Sequence, residues 1–290
     1  MPNRKGVSQD VINLYDEYTH TPLDRRVFLK RLASLAGSTA AAYALLPLLE
    51  NNYALADESQ ANDKRLKSSD IVIPGPHGDI KGYLTRPVGS GDRGSVLVIH
   101  ENRGLNPYIR DVARRVALAG YNALALDFLS PLGGTPDDED AARAMFADLD
   151  KAQTVANGLA ALAYLKALPD SNGRLAVLGF CWGGAMANQL AVSAADLNAA
   201  VSYYGMAPDS ALVKQIKARV LLHYAGVDER INASWPAYES ALKAAGIDYL
   251  SYVYEGAQHA FYNDTNAARY DKAAADLSWE RTLALFSQTL

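Results

Sequence analysis

Short apolar runs recur along most of this chain, each separated from the next by a stretch long enough for a helix. Ser95–His100, Asn122–Phe128, Leu175–Phe180, Ala199–Tyr204, Val220–Tyr224 and Tyr249–Tyr254 form the series. Most of their positions are apolar, not only alternate ones, so both faces of each strand must be covered. Between them lie helical patterns at Pro107–Ala119, Pro136–Leu168, Gly184–Ala194, Pro208–Lys217, Ala233–Ala245 and Ala267–Thr289. Pro107 suits a first helical turn, and Gly120 and Gly246 suit the left-handed position just past a helix end. Ile71–Ile73 and Ile80–Arg86 read as edge strands. The expected class is α/β, with a mostly parallel central sheet and helices on both faces. Reactive residues in such a sheet stand just beyond the carboxyl ends of its strands.

No Pro/Gly/Ser linker or internal repeat divides residues 57–290, so one domain is expected there. The 49% hydrophobic content excludes a disordered chain, and a net charge of −4 argues against a general nucleic-acid binder. A single cysteine, Cys181, rules out an intrachain disulfide. There is no dinucleotide fingerprint, no P-loop and no clustered ligand set in the sequence, so neither cofactor nor metal is expected.

Residues 1–56 have a different character. Arg25-Arg26-Val27-Phe28-Leu29-Lys30-Arg31 precedes eighteen uncharged residues, Leu32 to Leu49, and then Ala54-Leu55-Ala56 before Asp57. A basic region, an apolar region and a small-x-small site in that order predict an export signal. The paired arginines resemble the twin-arginine type, although Asp24 stands where Ser or Thr is usual. That reading makes the twin-arginine machinery a partner and the periplasm the destination. The alternative is retention as an inner-membrane anchor.

At the end of the third long run, Gly179-Phe180-Cys181-Trp182-Gly183-Gly184 has the form G-x-C-x-G-G. A sharp strand-to-helix turn needs glycine beside its central residue, which it holds in a strained conformation at the head of the helix. This is the nucleophile elbow of the α/β-hydrolase fold with sulfur in place of oxygen. A helix N-terminus favours thiolate over thiol. Asp228 follows Val220–Tyr224, and His259 follows Tyr249–Tyr254, giving the chain order nucleophile, acid, histidine. Glu229 is an alternative orienting acid. Of the other histidines, His20 falls in the leader, His77 in a turn, His223 inside a strand, and His100 precedes the nucleophile. The loop His100–Gly104 and the residue after the cysteine would supply oxyanion-hole amides, Asn102 and Trp182.

These residues resemble the dienelactone hydrolase family over about 70–290. The resemblance implies a Cys181 nucleophile, a His259 base and acid, an Asp228 orienter, and Glu101 as a partner of the resting thiol that substrate displaces. It implies a small-molecule ester or lactone substrate and a thioester intermediate. The family's arginine four residues after the histidine is Asn263 here, so Arg103 or Arg143 would have to bind a substrate carboxylate. Tyr108, Trp182, Tyr204, Trp235 and Phe261 are candidates for an aromatic pocket or for the core. Rival readings are a redox-active or sensing thiol protein, a binding protein without catalysis, and an amide-cleaving enzyme. Oligomeric state is not readable.

Overall fold

The computed structural model describes residues 6–56 and 62–290. Its eight strands are β1 Leu66–Gly75, β2 Gly78–Pro87, β3 Arg93–Ile99, β4 Asn122–Leu126, β5 Ser171–Phe180, β6 Ala199–Tyr203, β7 Arg219–Ala225 and β8 Tyr249–Tyr254. They form one sheet in the order β1-β2-β4-β3-β5-β6-β7-β8. β1 and β2 make an antiparallel hairpin on one edge, and every pair from β4–β3 to β7–β8 is parallel.

Period-two geometry divides the central strands between two cores. Leu97, Ile99, Val177 and Leu222 face one side, where they meet Leu162 and Leu165 of α6 (Lys151–Lys166), Leu190 of α7 (Trp182–Ser193) and Leu242 of α9 (Trp235–Ala245). Val96, Val98, Leu178 and Leu221 face the other side, where they meet Val112 and Val116 of α4 (Pro107–Leu118) and Leu285 and Phe286 of α10 (Lys272–Thr289). This is the α/β-hydrolase arrangement expected from the sequence.

Three helical expectations change. The run Pro136–Leu168 is not one helix: it divides into α5 (Glu139–Met145), a single 3-10 turn and α6. The cause is a pair of aspartates. Asp138 accepts from the amides of Asp140 and Ala141, and Asp150 accepts from the amide of Gln153, so each starts a helix of its own. Pro208–Lys217 forms only a 3-10 turn at Ser210–Gln215. The last helix starts at Lys272, because Asn263 and Asn266 hold the preceding residues in turns and Asp271 caps the helix. The short α8 (Glu229–Asn232) starts at Asp228.

The segment read as a leader is folded. Residues 6–56 form α1 (Gln9–His20), α2 (Arg25–Ala36) and α3 (Thr39–Leu49), capped by Ser8, Asp24 and Ser38. Asp24, the atypical residue before the arginine pair, accepts from the amides of Arg26 and Val27. Tyr15, Tyr18, Phe28, Leu32 and Leu49 make a small core of their own, with Tyr18 stacked on Phe28 at 4.3 Å. No single described helix is long and apolar enough to cross a membrane, and α2 and the segment after it meet at a bend of 110°. Ala54 and Leu55 lie in a one-turn helix and Ala56 is buried; Asp57, beyond the expected cleavage site, lies outside the described residues.

This cap sits on the carboxyl ends of the strands. Gln9 and Gln258 exchange amide hydrogen bonds, Asn266 donates to the carbonyl of Leu49, and the amide of Ala268 donates to that of Leu48. Arg25, first of the arginine pair, bridges Glu50 and Asp140. Phe28→Ala removes the central ring of the cap at a local cost of roughly 3–5 kcal/mol. Limited proteolysis of that variant is expected to cut within residues 21–56 while residues 62–290 stay intact. Equal protection in both proteins would contradict a separately packed cap.

Candidate active site

Cys181 stands between β5 and α7 with φ of +54°, a left-handed backbone rare for a side-chain-bearing residue. The glycines explain how the turn closes. A Cβ on Gly179 would lie 1.9 Å from the carbonyl oxygen of Gly183, and one on Gly183 would lie 2.4 Å from that of Ile99. A third, on Gly184, would lie 2.6 Å from the Tyr203 carbonyl oxygen. No side chain fits at these three positions without moving backbone. Trp182 is the first residue of α7, so its amide is among the donors that a helix start leaves free.

His259 and Asp228 come from loops after β8 and β7. His259 Nδ1 lies 2.5 Å from Asp228 Oδ2, and both side chains are buried. Asp228 Oδ1 also accepts from the amide of Ile231, which fixes the carboxylate. Glu229, the alternative acid, is the first residue of α8 instead. Burial opposes a charge on His259, but the Asp228 carboxylate and the Cys181 sulfur outweigh it, and the pKa is pushed up to about 9. Its Nε2 is buried and has no hydrogen-bond partner.

The hydrogen-bond partner of the Cys181 sulfur is His20. The last residue of α1 places its Nε2 3.2 Å from Sγ, and its ring meets that of His259 edge to face at 4.6 Å. His20 Nδ1 lies 2.8 Å from the carbonyl oxygen of Asp16 and 3.1 Å from the Asp16 carboxylate, so it carries the proton and Nε2 is the free lone pair. Burial opposes the charge on Asp16, but His20, His259 and Arg269 hold its pKa well below the usual carboxylate range. His20, Cys181 and His259 therefore form a cluster whose ligand atoms all lie within 4.8 Å of one another. Sequence reading placed His20 in the leader and missed it. The signals that could have marked this segment as folded are Ser8 and Asp24, which cap α1 and α2.

The remaining candidates divide. Glu101 is buried beside the site; Asn263 Nδ2 donates to its Oε2 at 2.9 Å and Tyr204 Oη lies 3.5 Å from its Oε1. Asn263 thus holds a protein carboxylate at the position where the family's arginine was expected to hold a substrate's. Asn102 donates its side-chain amide to the carbonyl of Thr19 at 2.7 Å. Arg103 is buried and donates to the Glu139 carbonyl and Asp140. Arg143 donates to the carbonyls of Tyr18 and Thr21 at the end of α1, and its guanidinium lies over the Tyr18 ring at 4.3 Å. Neither arginine is free to bind a substrate carboxylate in this conformation.

Tyr108, Tyr204 and Phe261 are fully buried core residues, Tyr204 packing on the His259 ring at 4.9 Å. Trp182 stacks on His100 and meets Phe146, and Trp235 packs on Tyr224 and Tyr249; both tryptophans lie against the core opposite the one that holds Tyr108, Tyr204 and Phe261. His100 orders the loop that follows β3: its Nε2 accepts from the Phe128 amide and its Nδ1 donates to the Glu101 carbonyl. His223 is satisfied by Tyr254 and Thr282, as a core histidine should be.

Comparison with known proteins agrees with this architecture. The sequence model described as "Dienelactone hydrolase family" matches residues 80–290, and one described as "YqhI-like" matches residues 2–37. A Synechocystis protein named "Putative carboxymethylenebutenolidase" is 30% identical over 243 residues, covering 78% of this chain and 98% of that protein. An Escherichia coli K12 protein named "Putative hydrolase fragment YghX" is 50% identical over 112 residues, 38% of this chain and 96% of its own. The crystal structure titled "Putative Dienelactone Hydrolase" from Klebsiella pneumoniae superposes with a TM-score of 0.71 at 28% identity, covering 77% of this chain and 99% of that one. The chain belongs to the dienelactone hydrolase family.

Proposed function

We propose that the protein is a cysteine-dependent hydrolase of lactones or carboxylic esters, with Cys181, His259 and Asp228 as its triad. The observation that carries this reading is the strained Cys181 at the head of α7 with the buried His259–Asp228 pair beside it. Asp228 keeps the proton on His259 Nδ1, and Nε2 of the charged ring holds the proton taken from the thiol, so Sγ attacks the ester carbonyl as thiolate. The amides of Asn102 and Trp182 receive the developing oxyanion. The same Nε2–H then protonates the leaving alkoxide or enolate, and water, deprotonated by His259, cleaves the thioester. Glu101, held beside the site by Asn263 and Tyr204, is the group that can partner the sulfur once His20, its partner in this conformation, has withdrawn. Arg103 is engaged by Glu139 and Asp140, whereas Arg143 is held by the end of α1 and becomes available to a substrate carboxylate only when that helix withdraws. His20 covers the sulfur in this conformation, so turnover requires the end of α1 to withdraw from Sγ.

The Arg25–Arg26 pair, the apolar run and Ala54-Leu55-Ala56 support a proposal of twin-arginine export for residues 1–56; their packing on the site supports a role retained in the folded protein. Arg25→Lys with Arg26→Lys is expected to block export of a reporter fused after residue 56, and unimpaired export would remove that proposal.

Cys181→Ala is expected to lower turnover of a neutral aryl ester by on the order of 10³-fold or more. Cys181→Ser should lower it on the order of 100-fold, because this site is arranged for a thiol far more acidic than an alcohol. Activity near wild type in either variant would contradict the triad.

The raised pKa of His259 also predicts a pH dependence of stability. Its folded-state pKa of about 9 exceeds the unfolded value of about 6.5, so its stabilisation is complete below pH ~6.5 and is lost as pH rises through about 9. The loss amounts to about 3 kcal/mol. Denaturation midpoints of the wild type should fall over that range, and those of His259→Gln should fall less; the same slope in both would contradict a charged His259.

A further inference from the structure

We propose that His20 Nε2, Cys181 Sγ and His259 Nε2 form a binding site for a thiophilic divalent cation of the zinc type. Three protein ligands would hold the ion, with a fourth position left for solvent.

The geometry of both imidazoles points this way. Each ring has its Nδ1 engaged, His259 by Asp228 at 2.5 Å and His20 by Asp16 at 2.8 Å to the carbonyl oxygen and 3.1 Å to the carboxylate. Each therefore turns its Nε2 inward. A carboxylate behind the far nitrogen is the outer support that metal-bound histidines use to fix tautomer and raise basicity. The second observation is independent of the cluster's composition: His259 Nε2 is buried and unpartnered, and its side chain is only 5% exposed. A polar atom in that position calls for an occupant.

Distances fit the ion. A tetrahedral zinc with bonds of about 2.0–2.1 Å to nitrogen and about 2.3 Å to sulfur sets its ligand atoms roughly 3.3–3.7 Å apart. The His20–Cys181 separation is 3.2 Å, and all three ligand atoms lie within 4.8 Å, so closure needs a shift of about 1 Å at most. Two imidazoles and a thiolate select zinc or cobalt over magnesium or calcium, which prefer oxygen ligands. On binding, the proton shared between the thiol and His259 Nε2 leaves to solvent, sulfur coordinates as thiolate and Nε2 through the lone pair thus freed.

The consequence is control. The ion occupies the lone pairs of the sulfur and of His259 Nε2 that the hydrolytic reading needs, and it ties α1, which carries His20, to the strand ends. A bound ion would therefore silence the thiol and lock the cap in one step.

Cobalt(II) titrated into the full chain tests this without reference to turnover. The expected result is one equivalent bound, with a thiolate-to-cobalt absorption band that zinc removes by competition. The chain has one cysteine, so that band can arise only from Cys181. His20→Ala should weaken cobalt binding on the order of 100-fold, and His20→Asn should behave likewise should the alanine variant lose its cap. His77→Ala, at an exposed turn, should bind as the wild type does. No thiolate band in the wild type, or unchanged affinity in a folded His20 variant, would overturn the site.

Discussion

The backbone at Cys181 is the constraint on which the rest of the site depends. A left-handed residue between a buried strand and a helix projects its side chain clear of the sheet, but only if the neighbouring main chains come almost into contact. Gly179, Gly183 and Gly184 permit that contact with the main chain of the turn itself, of β3 and of β6. The same turn sets the sulfur at the positive end of the α7 dipole. His259 and Asp228 then need only arrive from two loops at the same sheet edge. Parallel topology ensures this, since every strand from β3 to β8 ends on that side.

Around this turn the polar groups are used to fix one another. Asp228 orients His259, Asp16 orients His20, and Asn263 with Tyr204 orients Glu101. Arg103 and Arg143 serve α5 and α1, joining the cap to the catalytic layer through Asp140 and the carbonyls that end α1. Arg143 illustrates the logic: a helix end leaves carbonyls without partners, and a cation placed there satisfies them and complements the helix dipole. Loosening the cap would free this guanidinium at the moment the sulfur is uncovered.

The α/β layer, and the meeting of Cys181, Asp228 and His259 at its edge, were legible in the sequence because their signals are local. Cys181 is marked by three glycines, and Asp228 and His259 each follow an apolar run that can only be a strand. The helix break at Leu149-Asp150 was less visible, since the pattern stays amphipathic across it and only the capping geometry of Asp150 interrupts it. That residues 6–56 pack as a cap was not legible, for a physical reason. A weakly hydrophobic run behind a pair of arginines satisfies the export pattern and a small helical core equally well. What marks the helical core is long-range: Phe28 against Tyr18, and His20 against a cysteine 161 residues away. Spacing in one sequence carries no record of such contacts. Arg103 and Arg143 were found as cations near the site, but their partners lie on α1 and α5 and were not readable.

The most direct test of the account is intact-mass analysis of the full chain quenched during turnover of a slowly deacylating aryl ester, followed by peptide mapping. The account predicts one acyl group, labile to hydroxylamine, on the peptide that contains Cys181. An acyl group on a serine or another residue, or turnover with no adduct on that peptide, would contradict the cysteine mechanism on which the reading of this site rests.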